Sequence, residues 1–166
     1  MKINPLPPLE VLNTLLHYDP ETGEFRWKQL RRNQISENSI AGYRHGSGYI
    51  HIKISGKKYP AHRLAYKMHY GIEPDGILDH IDTNRSNNRI LNLRIATIAQ
   101  NNANSKVRSH SLTGVKGVSP ISRGYRARIK LDKKEIYLGY YKTIEEAKSA
   151  YDKAAKEYHG EFARTS

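Results

Sequence analysis

The sequence predicts an α+β chain: a strand–loop–strand–helix unit, followed by a three-stranded antiparallel sheet with one helix. Two tracts alternate apolar and polar residues, at 49–54 and 125–131, as half-buried strands do. Two others repeat apolar residues at helical spacing: Leu9, Leu12, Leu15 and Leu16 near the start, and Ile144, Ala147, Tyr151, Ala154, Ala155 and Tyr158 near the end. Between them a polar stretch at 82–89 separates two short apolar runs, which reads as two strands joined by a loop.

The elements follow in order. Residues 1–45 form an N-terminal extension, in which Pro7-Pro8 start the leucine-striped helix. Tyr18-Asp19-Pro20-Glu21-Thr22-Gly23 is a turn, Glu24-Phe25-Arg26-Trp27-Lys28 a strand, and residues 33–39 a polar loop. Residues 46–105 form the second part. Ile50, Ile52 and Ile54 share one strand face, and Ser55-Gly56-Lys57-Lys58 turns the chain into a returning segment. A helix over 61–70 is stopped by Gly71 and Pro74. Short strands follow at 77–80 and 92–95, and Thr97 caps a helix that carries Asn101. A polar linker at 106–111 leads to a third part, 112–164. Its strands are expected at 114–118, 125–131 and 135–140, with Asp132-Lys133-Lys134 as the turn between the last two. Thr143 and Glu146 form a capping box for the final helix, and Gly160 stands at its C-terminal cap.

The charge balance points to a polyanion. The chain has 28 Lys and Arg against 16 Asp and Glu, a formal charge of +12, which favours nucleic acid as partner. From Lys106 to Lys134 there are nine basic residues and one acid, Asp132. The absence of cysteine excludes disulfides and thiolate-held zinc. No apolar stretch is long enough to span a membrane, and Met1-Lys2-Ile3-Asn4-Pro5 lacks a signal peptide's apolar core. We therefore expect no membrane partner and a cytoplasmic protein, in a bacterial or phage-infected host cell.

The densest chemistry lies in Leu78-Asp79-His80-Ile81-Asp82, then Asn87-Asn88-Arg89-Ile90-Leu91-Asn92-Leu93-Arg94, then Asn101-Asn102. An acid beside a histidine, with asparagines 12 and 21 positions beyond the histidine, resembles the HNH nuclease motif. The likeness is to the homing-type branch found in phages and mobile introns. It covers residues 46–105 and, more weakly, 18–28. The resemblance implies a ββα-metal fold that binds one divalent cation and cuts a phosphodiester. In that scheme His80 is the catalytic base, since an imidazole titrates near neutrality. Asp79 offers hard oxygen to Mg²⁺ or Mn²⁺. Asn92 accepts the proton of the other imidazole nitrogen, and Asn101 adds a second metal ligand. Adjacent strand residues face opposite sides, so a shared site requires that the strand end or bulge at Asp79-His80. The family's last motif position is commonly His; Asn here favours Mg²⁺ over Zn²⁺. Asn102, about 100° further round the helix, is an alternative ligand. His62 has either a structural or DNA-contacting role or an approach to the phosphate.

Four segments of the third part resemble the AP2 DNA-binding domain: 114–118, 125–129, 137–141, and 145–155 through Glu145-Glu146-Ala147 and Tyr151-Asp152-Lys153-Ala154-Ala155. Alternation directs Tyr125, Ala127, Ile129 and Leu131 to the helix and Arg126, Arg128 and Lys130 away from it. A sheet can enter the major groove, where arginine reads guanine. The resemblance implies a DNA-reading surface that also includes Lys116, Arg123 and Tyr137. The expected protein is a metal-dependent endonuclease on double-stranded DNA, sited by an AP2-like module and acting as a monomer on an asymmetric target. The alternatives are a DNA-binding regulator with an inactive HNH unit, and a binder of structured RNA through stacking tyrosines.

Overall fold

A computed structural model describes residues 5–28, 38–107, 109–131 and 134–164. The chain start, most of the 33–39 loop and the turn residues Asp132 and Lys133 lie outside the described residues. The chain divides into two compact units, Met1–Ile95 and Ala96–Ser166.

In the first unit, α1 (Leu9–Leu15) runs directly into β1 (Leu16–Tyr18), which pairs antiparallel with β2 (Phe25–Trp27). The leucine stripe therefore crosses a helix–strand junction. Leu16 is extended at φ −128° and pairs with Trp27, yet it remains fully buried. A second sheet contains β3 (Tyr43–Arg44), β4 (Ile50–Ile54) and β5 (Lys57–Pro60), in that order. Ile52 and Ile54 enter the core as alternation requires. α2 (Ala61–Tyr70) ends at Gly71 in the left-handed region. Leu12, Leu16, Ile52 and Leu64 are the largest fully buried side chains, and Trp27 packs with them. Each such burial contributes about 1.5–3 kcal/mol. On this base stand β6 (Ile77–His80) and β7 (Leu93–Ala96), which form a two-stranded sheet.

The second unit opens with α3 (Ile98–Asn104), whose N-terminus has a reciprocal capping box between Thr97 and Gln100. β8 (Val118–Ile121), β9 (Gly124–Leu131) and β10 (Lys134–Tyr141) form an antiparallel sheet in the order β10-β9-β8. α4 (Ile144–His159) carries the expected Thr143–Glu146 box and packs Ala147, Tyr151, Ala154 and Ala155 on Val118, Ala127 and Ile129. The first strand of this sheet begins later than expected. Residues 114–117 turn instead, because Gly114 and Gly117 both adopt left-handed φ, 65° and 70°. A Cβ at Gly117 would overlap the Tyr151 ring and the Arg128 carbonyl, so the turn packs directly on the core. Pro120 is tolerated because β8 is an edge strand.

The sequence placed a boundary in the 106–111 linker. The compact units instead divide before α3, where Ala96 and Ala103 cluster with Phe162 inside the second unit. No helix among the described residues is long and apolar enough to cross a membrane.

Candidate active site

Three successive residues of β6, Leu78, Asp79 and His80, are all buried, at 5%, 5% and 3% exposure. A strand with one open face would expose the middle one. Here both faces are covered by different elements. On β7, Arg94 donates from Nε (3.1 Å) and Nη2 (3.0 Å) to Asp79 Oδ2. His80, the last residue of the strand, packs instead against His62 of α2 and Tyr49, with ring centroids 5.2 and 5.8 Å away. The strand does end at the pair. Asp79 and His80 nevertheless draw their neighbours from different elements.

The imidazole's amide partner is Asn88, whose Oδ1 accepts from His80 Nε2 at 3.4 Å. That corrects the expectation for Asn92. Asn92 Nδ2 donates to Asp82 Oδ1 (2.9 Å) and the Asn87 carbonyl (2.9 Å), and its Oδ1 accepts from the Asp82 amide (3.0 Å). It therefore closes the loop between β6 and β7 rather than steering the imidazole. The loop holds a further amide on the same carboxylate, since Asn87 Nδ2 donates to Asp82 Oδ2 at 2.6 Å. Burial alone would raise the Asp82 pKa, but the donors from Asn87, Asn84 and Asn92 outweigh it and leave the carboxyl below its usual range. The turn just after His80 closes through a Thr83 amide donating to the His80 carbonyl at 2.8 Å, with Thr83 in the left-handed region at φ 62°. A β-branched residue adopts that φ at a cost.

Asn88 is itself 2% exposed, and its carbonyl accepts from Tyr18 Oη at 2.7 Å. Gly23, at φ +76°, lets the 19–24 turn approach; a Cβ there would meet the Arg89 nitrogen at 2.5 Å. The N-terminal hairpin thus fixes the residue that orients the histidine. Asn88 was missed in the sequence because it adjoins Asn87, and nothing local tells which of two loop amides is turned inward.

With an amide oxygen accepting at Nε2, the neutral tautomer places its lone pair on Nδ1. Burial lowers the His80 pKa from its usual value, against the Asn88 hydrogen bond and the nearby Asp82 and Asp79 carboxylates. Burial therefore favours the neutral imidazole at His80. His62 is depressed further, to about 3, chiefly by burial and then by His80 and Arg63. Its Nδ1 is buried without a hydrogen-bond partner among the described residues.

Asp79, the expected metal ligand, accepts from the Arg94 guanidinium through Oδ2. Among the described residues no group of three His, Cys, Asp or Glu could hold a metal. The Asp79 carboxylate offers hard oxygen, the donor type that Mg²⁺ or Mn²⁺ takes.

The remaining expected residues lie in the second unit. Asn101 is half-buried and Asn102 exposed on α3. Arg128 pairs with Glu135 at 2.8 Å, while Arg126 Nε is buried without a partner among the described residues. Lys130 and Arg123 are exposed. Tyr137 is 63% exposed and stands opposite Arg128. The register shifts between Tyr137 and Gly139, which brings Tyr140 opposite Arg126. That bulge sets Tyr137 and Tyr140, an odd and an even residue, on one face with the arginines. Strict alternation hid Tyr140. Lys116 was expected on the DNA face. Its Nζ instead donates to the carbonyls of Asn102 (2.9 Å), Ala103 and Ser105 (3.0 Å), at the end of α3.

Residues 59–103 match the family described as HNH endonuclease, a span that begins in β5 and ends on α3. A protein of Acanthamoeba polyphaga mimivirus named as an uncharacterized HNH endonuclease is 36% identical over 109 residues, 64% of this chain and 56% of the relative. A Bacillus subtilis (strain 168) protein, whose name describes an HNH homing endonuclease derived from the SPbeta prophage, is 35% identical over 82 residues, 49% of this chain and 47% of its own. The chain spans about half the length of these curated relatives.

Proposed function

We propose, from the premise that residues 59–103 follow the HNH endonuclease pattern, that this protein is a metal-dependent endonuclease cutting double-stranded DNA. The observation that carries the proposal is a buried, neutral histidine held by an amide at the end of a strand and preceded by a buried carboxylate, within that matched span. Asn88 holds Nε2–H, and His80 Nδ1 takes the proton from the water that attacks phosphorus. Asp79 is the proposed ligand for one Mg²⁺ or Mn²⁺. When bound, the cation supplies charge stabilisation at the phosphoryl oxygens. Asn92 and Asp82 keep the 82–92 loop closed so that β6 and β7 present their side chains in a fixed register.

The sheet of the second unit is the proposed AP2-like reader. Arg126, Arg128, Lys130, Tyr137 and, nearby, Arg123 would meet DNA, and Tyr140 joins them by register. The proposed enzyme is of the homing type, acting as one chain on an asymmetric site in the cytoplasm of a bacterial or phage-infected cell. The test is direct. The protein is incubated with the DNA around its own gene, with Mg²⁺ or with chelator, and cuts are mapped on each strand. Metal-dependent cutting lost in His80→Ala supports the proposal. Sequence-specific binding with no cutting under any metal would replace it with the regulator reading.

A further inference from the structure

We propose that Arg85 is a catalytic residue of the cleavage reaction: its guanidinium, held over Tyr49 beside His80, grips a non-bridging oxygen of the phosphate being cut. The inference rests on the nuclease reading of His80 and adds a residue which that reading leaves out. Every group it uses belongs to the first unit.

Phosphodiester hydrolysis builds negative charge on the phosphoryl oxygens, so a cation already in place when the reaction begins stabilises them most. Arg94 does not serve, because it is largely buried and committed to Asp79. Arg85 stands in the loop between β6 and β7 and is exposed. Among the described residues it has no ion pair. The loop's own acid, Asp82, is instead taken up by the amide groups of Asn84, Asn87 and Asn92. The guanidinium is nevertheless held in place. Its Nη1 donates to the Ser47 carbonyl at 2.9 Å, and its carbon lies 5.0 Å from the centre of the Tyr49 ring. Gly48, at φ 88°, sits against the same side chain: a Cβ there would be 3.7 Å from Arg85 Cδ. Next to it, Ser86 Oγ donates to the Gly48 carbonyl at 3.2 Å, a second tie between the loop and the turn before β4. That turn is closed in its own right, since the His45 amide donates to the Tyr49 carbonyl and the Gly48 amide to the His45 carbonyl, each at 2.8 Å. Anchoring through one nitrogen leaves the rest of the guanidinium fork for a phosphate. Tyr49 ties this cation to the base. Its ring lies 5.8 Å from that of His80, centre to centre, and Arg85 is close enough for its charge to act on the imidazole. The reaction needs a span of that order: about 3 Å from base to water, about 3–3.5 Å from water to phosphorus, and about 2.8 Å from guanidinium to oxygen. A phosphate attacked by the water that His80 activates therefore has its oxygens within reach of Arg85. No proton leaves the guanidinium, which stays charged throughout.

The full-length chain is compared with Arg85→Met, Arg85→Ala and Arg85→Lys on DNA from around the gene with Mg²⁺. Three quantities are read: the single-turnover cutting rate at saturating protein, the Kd for DNA, and the urea midpoint from the fluorescence of Trp27, which is buried in the same unit. Losing one preplaced donor predicts a roughly 10²-fold slower rate in Arg85→Met and Arg85→Ala. Kd weakens far less than the rate falls, because the contact strengthens as charge develops. The urea midpoint stays near that of the wild type, since the side chain is exposed. Arg85→Lys keeps the charge without the fork and recovers part of the rate. Methylguanidinium added at low millimolar concentration restores part of the rate in Arg85→Ala and none in His80→Ala, which a merely structural role would not produce. An unchanged rate at saturating protein, with or without a weaker Kd, would overturn the inference alone. So would a slower rate that follows a lowered urea midpoint and is not rescued by methylguanidinium. A wild-type chain that cuts nothing would overturn the nuclease reading and this inference together.

Discussion

Replacing Arg94 by Met removes a guanidinium that donates twice to Asp79 Oδ2, at 3.1 and 3.0 Å. The two side chains are 13% and 6% exposed, so water is poorly placed to take over either bond. Removing one partner of a buried ion pair costs about 3–5 kcal/mol, because the remaining charge is left in a poorly solvated place. Asp79 has further contacts, which sets the expectation at the lower end, about 3 kcal/mol. The chain's single tryptophan, Trp27, is buried in the core of the same unit, so its fluorescence reports on that unit in a urea titration. For a unit of this size the thermal midpoint should fall by more than about 10 °C. Asp79→Asn with Arg94→Met in one chain removes the stranded charge and should recover about 2 kcal/mol relative to additive losses. A loss below about 1 kcal/mol in Arg94→Met, or strict additivity in the cycle, would mean that the pair does not hold the strand.

Three other outcomes are expected. His80→Ala should slow cutting roughly 10²- to 10⁴-fold with binding nearly intact. Asn88→Ala should slow it roughly 5-fold through the lost orienting bond, as measured by single-turnover rates; wild-type rates in either variant would remove that residue from the mechanism. His62 is held near pKa 3 in the folded chain against an ordinary 6.5, so the unfolded chain binds the extra proton first. Stability is therefore full above the ordinary value and falls as pH drops toward the folded one. Between pH 7 and pH 5 the wild type should lose about 2 kcal/mol more than His62→Phe, compared by the change with pH in each chain; parallel curves would refute the burial of this imidazole. If about six basic side chains meet phosphates, log K against log salt should slope near −5, and a flat dependence would leave the +12 charge without a DNA role.

Much of the fold is local and was legible. The 61–70 helix, the alternating strands at 50–54 and 125–131, and the Thr143–Glu146 box are set by short-range periodicity and capping, which need no partner to be recognised. The Asp79-His80 pair singled out the candidate site, since each residue type carries its donor or base wherever it is placed, but the asparagine spacing picked Asn92 where Asn88 faces the imidazole. Errors arose where backbone conformation depended on a distant partner. Leu16 fitted the helical stripe but was taken into a strand by Trp27. Residues 114–117 looked like a strand until two left-handed glycines and the Tyr151 ring made them a turn.

Residue type and order alone singled out the candidate residues, because ionisation and ligand hardness belong to the side chain. Tertiary structure alone decided their partners. Asn88 rather than Asn92 faces His80 because the Tyr18 hydroxyl and the Gly23 turn hold it inward from 70 and 65 residues away in sequence. Arg94 meets Asp79 because β7 lies beside β6. Lys116 meets the end of α3 because the loop before β8 is packed on the core of its own unit. A hydrogen bond needs a distance near 3 Å and a direction, and neither is encoded in spacing along the chain when the partners come from separate elements.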